Sequence, residues 1–148
     1  MDINDVLAVV NNERATSLGL SKGGWEGWLQ CELWRHLTLK GESAEREFPY
    51  PGSAQRSDLV VNVNGQLPLW VEIKAFGVFR EGDADRFLDG IGLDVMKLGA
   101  RPDGTDGLML VVVPKAIGDA LTTAFVARQW HGFTHTDAAY LAIYHMTF

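Results

Sequence analysis

The spacing of apolar residues changes period along the chain, and each change marks an element. Over residues 2–17, Val6, Leu7, Val9 and Val10 form a helical stripe with Asp2 or Asn4 available as N-cap, which predicts one helix. Three glycines between Leu18 and Gly24 predict a break. Helical spacing resumes over residues 25–39, where Trp25, Trp28, Leu29, Leu33, His36 and Leu37 share a face. The three tryptophans of this segment are read as core rather than as a ligand-stacking box.

After that the period shortens to two. Residues 46–51 read as a short strand closed by prolines. Over residues 57–63, Leu59, Val61 and Val63 alternate with Asp58, Val60 and Asn62; Asn64-Gly65 marks a turn, and residues 69–75 form the return strand. Following a loop over residues 77–83, a helix over residues 84–98 buries Phe87, Leu88, Ile91, Val95 and Leu98, leaving Asp94 and Lys97 partly polar-facing. Residues 108–113 are an unbroken apolar run, as in a central strand covered on both sides. A helix over residues 115–130 and a strand over residues 140–146 complete the pattern. The expectation is one α/β domain across residues 1–148: a mixed sheet of about five strands flanked by helices, in the order ααβββαβαβ. There is no repeat, low-complexity tract or linker.

The hairpin admits two registers. A two-residue Asn64-Gly65 loop pairs Val63 with Gln66 and sets Asp58 opposite Val71, on the other face from Glu72. One extra loop residue, or a bulge, sets Asp58 opposite Glu72 with Cβ atoms about 5 Å apart. The second register is predicted, because it gathers Leu59, Val61, Val71 and Ile73 on one apolar face. Pro68, with no amide to donate, agrees with an irregular turn.

Composition narrows the class. Hydrophobic residues at 47% and charged residues at 22% suit a globular domain rather than disorder. No apolar run approaches the roughly 20 residues that span a bilayer, and Met1 to Asp5 lacks the basic then apolar pattern of a signal peptide, so a cytoplasmic address is expected. Cys31 has no partner for an internal disulfide and is predicted to be a buried thiol in a reducing compartment. The net charge of −6 is unusual for a protein that grips a polyanion unaided, since basic faces normally supply that affinity. The thirteen Lys and Arg are scattered, with a loose excess around Arg46, Arg56, Lys74, Arg80 and Arg86.

The candidate chemistry lies in Trp70-Val71-Glu72-Ile73-Lys74. Two apart on a strand, Glu72 and Lys74 share a face: one carboxylate for a hard divalent cation, one ammonium to position or deprotonate a water. A Glu-x-Lys triplet is common by chance, and a plain ion-pair network, with Glu72 against Arg56 or Lys74, is the bland alternative. Asp58, opposite Glu72, adds a second carboxylate. Glu26, in the first turn of the second predicted helix, offers a third, with Glu32 as competitor; its bland role is to complement the helix dipole. His131 and His135 are four apart but separated by Gly132, and are read as loop or strand-end residues rather than a zinc pair. There is no glycine-rich phosphate loop, nucleophile elbow or Cys-x-x-Cys pair.

An acid on a buried helix, then Arg56-Ser57-Asp58-Leu59-Val60-Val61, then Leu69-Trp70-Val71-Glu72-Ile73-Lys74, then a helix and further strands: this order resembles the PD-(D/E)XK nuclease superfamily, with its restriction-endonuclease-like fold. The match covers roughly residues 24–113. Ser57 stands where the family's name has proline. The resemblance implies a metal-dependent nuclease hydrolysing phosphodiester bonds in DNA, more than RNA. Asp58 and Glu72 would be Mg²⁺ ligands, with the Ile73 carbonyl and Glu26 as further ligands and Mn²⁺ as a substitute. Lys74 would act on the attacking water, while Gln30, Arg56 and Lys97 would contact the site or phosphate. A second copy or a protein partner would supply the grip that the acidic chain lacks, and no membrane partner is expected. The alternative is a catalytically inactive binding protein on the same fold, an acidic inhibitor or immunity-type partner or an assembly subunit, since acidic surfaces steer toward basic ones.

Overall fold

The period-two segments assemble into a single mixed sheet. In the computed structural model, which describes residues 1–65 and 67–148, six strands stand in the order β1-β2-β3-β4-β6-β5. They are β1 (Ala44–Pro49), β2 (Arg56–Val61), β3 (Leu69–Ala75), β4 (Asp106–Pro114), β5 (Thr134–Asp137) and β6 (Leu141–Thr147). β1, β2 and β3 form an antiparallel meander, β3 and β4 are parallel, and β6 runs antiparallel to both β4 and β5. A parallel neighbour needs a crossover, and α4 (Asp83–Leu98) provides it. The other helices are α1 (Ile3–Val10), α2 (Glu13–Gly19), α3 (Glu26–Leu39) and α5 (Gly118–Ala127). None among the described residues is long and apolar enough to cross a membrane.

The expected α/β class with a mixed sheet between helices is present, while its details differ. The element order is αααβββαβαββ rather than ααβββαβαβ, with six strands rather than about five. The first predicted helix is two, because the Asn12 side chain caps a new one by accepting from the Ala15 amide at 3.0 Å. The extra strand, β5, reads Thr-His-Thr-Asp, is mostly exposed and pairs with β6 alone, so no apolar alternation announces it. The helix expected over residues 115–130 begins with a 3-10 turn at Lys115–Ile117 and ends at Ala127. Cys31 is exposed, since α3 turns Leu29, Gln30, Leu33 and Leu37 inward. Of the tryptophans in that segment Trp25 is buried, while Trp34 lies outside and donates to the Ala44 carbonyl at 3.0 Å.

Two apolar layers follow from the strand alternation. Leu59, Val61, Val71, Ile73 and Ala75 meet α1 and α3 on one face, and Val60 and Trp70 meet α4 on the other. The β2–β3 register pairs Leu59 with Val71, Val60 with Trp70 and Val61 with Leu69. Carried one residue further it sets Asp58 opposite Glu72, as the shared apolar face predicts. Asn62 takes a left-handed φ of 58° and ends the strand, so Val63 departs from the alternation and packs on the α4 side. The loop is closed by the Gly65 amide on the Asn62 carbonyl at 2.7 Å; the pairing of Val63 with Gln66 in the other register falls outside the described residues.

Candidate functional site: carboxylates and lysines at the end of strand β3

The even-numbered side chains of β3 point toward α4, so Trp70, Glu72 and Lys74 follow one another along that face. Asp58 arrives from β2 and accepts from the Ile73 amide at 2.7 Å. Ser57, beside it, is buried and donates to the Val71 carbonyl at 3.0 Å, a tie between β2 and β3 that a proline side chain would lack.

Glu26 reaches this point because the chain before α3 is stitched to the end of β3. The Trp25 amide donates to the Ala75 carbonyl at 3.0 Å, the Gly77 amide to Gly23 at 2.9 Å, and the Val78 amide to Ser21 at 2.7 Å. Gly77 has to be glycine: a Cβ there would stand 2.0 Å from the Ser21 carbonyl oxygen. The first turn of α3 is thereby held against β3, and Glu26 Oε2 lies 3.4 Å from Lys74 Nζ. Glu32, its competitor, instead pairs with Arg35 at 2.7 Å on the outer side of the helix.

α4 supplies the rest. Asp94, buried, holds Lys74 Nζ at 2.8 Å and Lys97 Nζ at 3.1 Å. Lys97 Nζ also lies 2.6 Å from Glu72 Oε2, and Tyr50 donates its hydroxyl to Glu72 Oε1 at 2.8 Å. Tyr50 is fixed by stacking on Trp70, with ring centroids 4.9 Å apart. Gly90, one turn before Asp94, leaves the space through which Lys74 passes; a Cβ there would lie 3.2 Å from Lys74 Cε.

The contacts run Glu26–Lys74–Asp94–Lys97–Glu72–Tyr50, with Asp58 alongside. Four carboxylates face two ammonium groups, an excess of two negative charges when all are ionised. The electrostatics reflect it. Burial, then the Asp58 charge, pushes the fully buried Glu72 up to about 7, against the bonds from Lys97 and Tyr50. Burial also raises Asp58 and Glu26, although the Ile73 amide pulls Asp58 back and Lys74 pulls Glu26 back. Burial works to lower both lysines, but Asp94 and Glu26 outweigh it at Lys74, and Glu72 and Asp94 outweigh it at Lys97, so both rise. Tyr50 is raised by burial and by Glu72 and stays a phenol.

The remaining predicted residues are distributed unevenly. Gln30 is buried one turn beyond Glu26 and accepts from Arg46 Nη2 at 3.4 Å. Arg56 donates to the Glu47 carbonyl at 2.7 Å and touches none of the carboxylates; Glu47 carries a left-handed φ of 53°. Ile73 meets the cluster through its amide. Glu72 pairs with Lys97, not with the Arg56 or Lys74 of the simple ion-pair expectation. Sequence reasoning missed Tyr50, which sits between two prolines that give no side-chain direction. It left Asp94 as a partly polar helix position, although its spacing of three from Lys97 was visible. His135 pairs with Asp137 at 3.0 Å and stacks on Tyr144, within strand β5.

Among the described residues, no group of three or more His, Cys, Asp or Glu is arranged to hold a metal ion. Compared with protein-family models, curated proteins and solved structures, the chain matches none.

Proposed function

We propose that this chain is a metal-dependent nuclease of the PD-(D/E)XK kind, hydrolysing phosphodiester bonds in DNA. One observation carries the reading: the β2–β3 register brings Asp58 beside Glu72 at the point where Lys74 and Glu26 also meet. The order of elements supports it too: a helix bearing an acid, an antiparallel meander bearing Asp58 and then Glu72-Ile73-Lys74, and a helix crossing to a parallel strand.

The donor set fits Mg²⁺ in kind. Mg²⁺ takes one or two carboxylates and keeps waters and phosphate oxygens in its other positions, so it needs no cage of three acidic side chains. Asp58 Oδ1 accepts no hydrogen bond among the described residues, and the cluster has negative charge to spare. Asp58 and Glu72 would hold the ion, with the Ile73 carbonyl and Glu26 as further oxygens. When bound, it would supply Lewis-acid polarisation of a phosphodiester and of a water.

The chain's own groups define the remaining roles. Lys74, kept protonated by Asp94 and Glu26, is a donor and a fixed positive charge for the anionic transition state rather than a base. Glu26, raised by burial and in contact with Lys74, would offer its oxygens to the ion directly or through a water. Asp94 is a positioning residue.

Purified protein with Mg²⁺ or Mn²⁺ is expected to cut DNA, and Lys74→Ala to lose rate while keeping metal affinity. Failure to cut single- or double-stranded DNA, or an unimpaired Lys74→Ala variant, rejects the reading. A second reading has its own support: Glu72 has both oxygens satisfied by Tyr50 and Lys97, which a non-catalytic binding protein with a closed ion-pair network would also show. Such a protein takes up no Mn²⁺ through Asp58 and Glu72.

A further inference from the structure

Resting on the metal-dependent reading, one question is what balances the buried carboxylates before an ion arrives. Glu72 is fully buried, and an uncompensated charge there is costly. Its two oxygens are held by different kinds of group. Tyr50 on Oε1 is itself buried, stacked on Trp70 and closed in by the β1 end of the sheet. Lys97 on Oε2 stands on a flexible stem at the edge of the cluster, with a fifth of its side chain exposed. Its ammonium also touches Asp94 and interacts with the charge of Asp58, so it lies among three carboxylates, where a cation is most favoured. An ion bound by Asp58 and Glu72 needs an oxygen of Glu72, and the group free to yield it is Lys97.

We propose that Lys97 is a built-in counter-cation: it occupies the cation position of the metal-free protein, and a divalent ion must displace it from Glu72 to bind. Lys97 thereby sets the metal affinity by competition, while Lys74 keeps its place between Glu26 and Asp94.

The first test measures Mn²⁺ binding to the full chain at pH 8, by electron paramagnetic resonance of the free ion, for the parent, Lys97→Met and Glu72→Gln. Removing a competing like charge a few ångströms from the ion should tighten binding about tenfold or more in Lys97→Met, and Glu72→Gln should abolish it. Equal or weaker binding by a folded Lys97→Met overturns the inference and leaves the nuclease reading intact. No Mn²⁺ binding by the parent or by Lys97→Met overturns the metal reading itself, and this inference with it. The second test needs no variant. Acetylation of the parent by acetic anhydride, read by mass spectrometry, should increase severalfold at Lys97 when Mg²⁺ is added, against constant labelling of the exposed Lys22 and Lys115. Unchanged labelling at Lys97, or an increase at Lys74 instead, overturns the proposal.

Discussion

Gly90→Ala separates what this helix does for the fold from what it does for the site. Gly90 is in the interior of α4, where alanine is favoured over glycine by about 1 kcal/mol in helix propensity. The new methyl would stand 3.2 Å from Lys74 Cε, tighter than an ordinary carbon contact, and Lys74 must yield by a few tenths of an ångström. Turning the lysine stem off its rotamer costs about 0.5–1.5 kcal/mol, so the two terms nearly cancel and stability should stay within about 1 kcal/mol of the parent. Under the nuclease reading, cleavage has no such compensation. The ammonium is set by 2.8 Å to Asp94 and 3.4 Å to Glu26, and if a misplacement of 1 Å costs roughly a hundredfold in rate, a few tenths cost about three- to tenfold. Urea unfolding and DNA cleavage on the same preparations measure both. Destabilisation well beyond 1 kcal/mol would refute the assigned packing, and unchanged cleavage would refute the role given to Lys74.

Three further outcomes are expected. In metal chelator, a Glu72 carboxyl raised from 4.5 to about 7 binds its proton more tightly in the folded chain than in the unfolded one. That contribution is complete below about pH 4.5 and is lost as pH rises through 7, a fall of about 3 kcal/mol. Glu72→Gln should remove the fall, and parallel stability curves for variant and parent between pH 4.5 and 8 would contradict this. Gly77→Ala drives a Cβ against the Ser21 carbonyl and should cost about 1–3 kcal/mol in urea unfolding; a neutral substitution would refute the stitching of α3 to β3. Under the nuclease reading, DNA retention by Lys74→Ala, slowed in cutting, should need Mg²⁺ and vanish in chelator; equal retention in both would refute metal-dependent grip.

Legibility in the sequence followed the strength of the local signal. β3 is found at the residues its apolar pattern indicates, and α3 and α4 begin within one residue of expectation, because their buried faces repeat at one period over several turns or pairs. The register of Asp58 against Glu72 was legible for the same reason, since a slip of one residue would have turned Leu59 and Val61 out of the core. β5 was not, having no buried face, and the break at Asn11 and Asn12 was missed because Val9 and Val10 continue an apolar stripe up to a strong N-cap. The site's polar partners were the least legible. Asp94 and Tyr50 acquire their roles only when α4 and the end of β1 are brought across the sheet face, a tertiary fact that neither spacing nor composition contains.

The acidic charge of the chain and the demands of a polyanionic substrate meet at the same cluster. As folded, both lysines at the site are engaged by carboxylates, so the face where DNA would lie offers little free positive charge. A divalent ion between Asp58 and Glu72 would change this twice: it would cancel the excess negative charge, and it would release the Lys97 ammonium from Glu72. Positive charge at the site would then appear only on metal loading. Under that reading the net charge of −6 does not argue against a nuclease, because the repulsion it creates is lifted locally at the moment the chemistry becomes available. Exposed Arg56, anchored to Glu47 rather than to the carboxylates, remains outside this exchange, and Arg46 lies against Gln30. A face with so few fixed charges would hold DNA weakly by itself, which is the physical reason why the nuclease reading calls for a second copy or a partner to complete the grip.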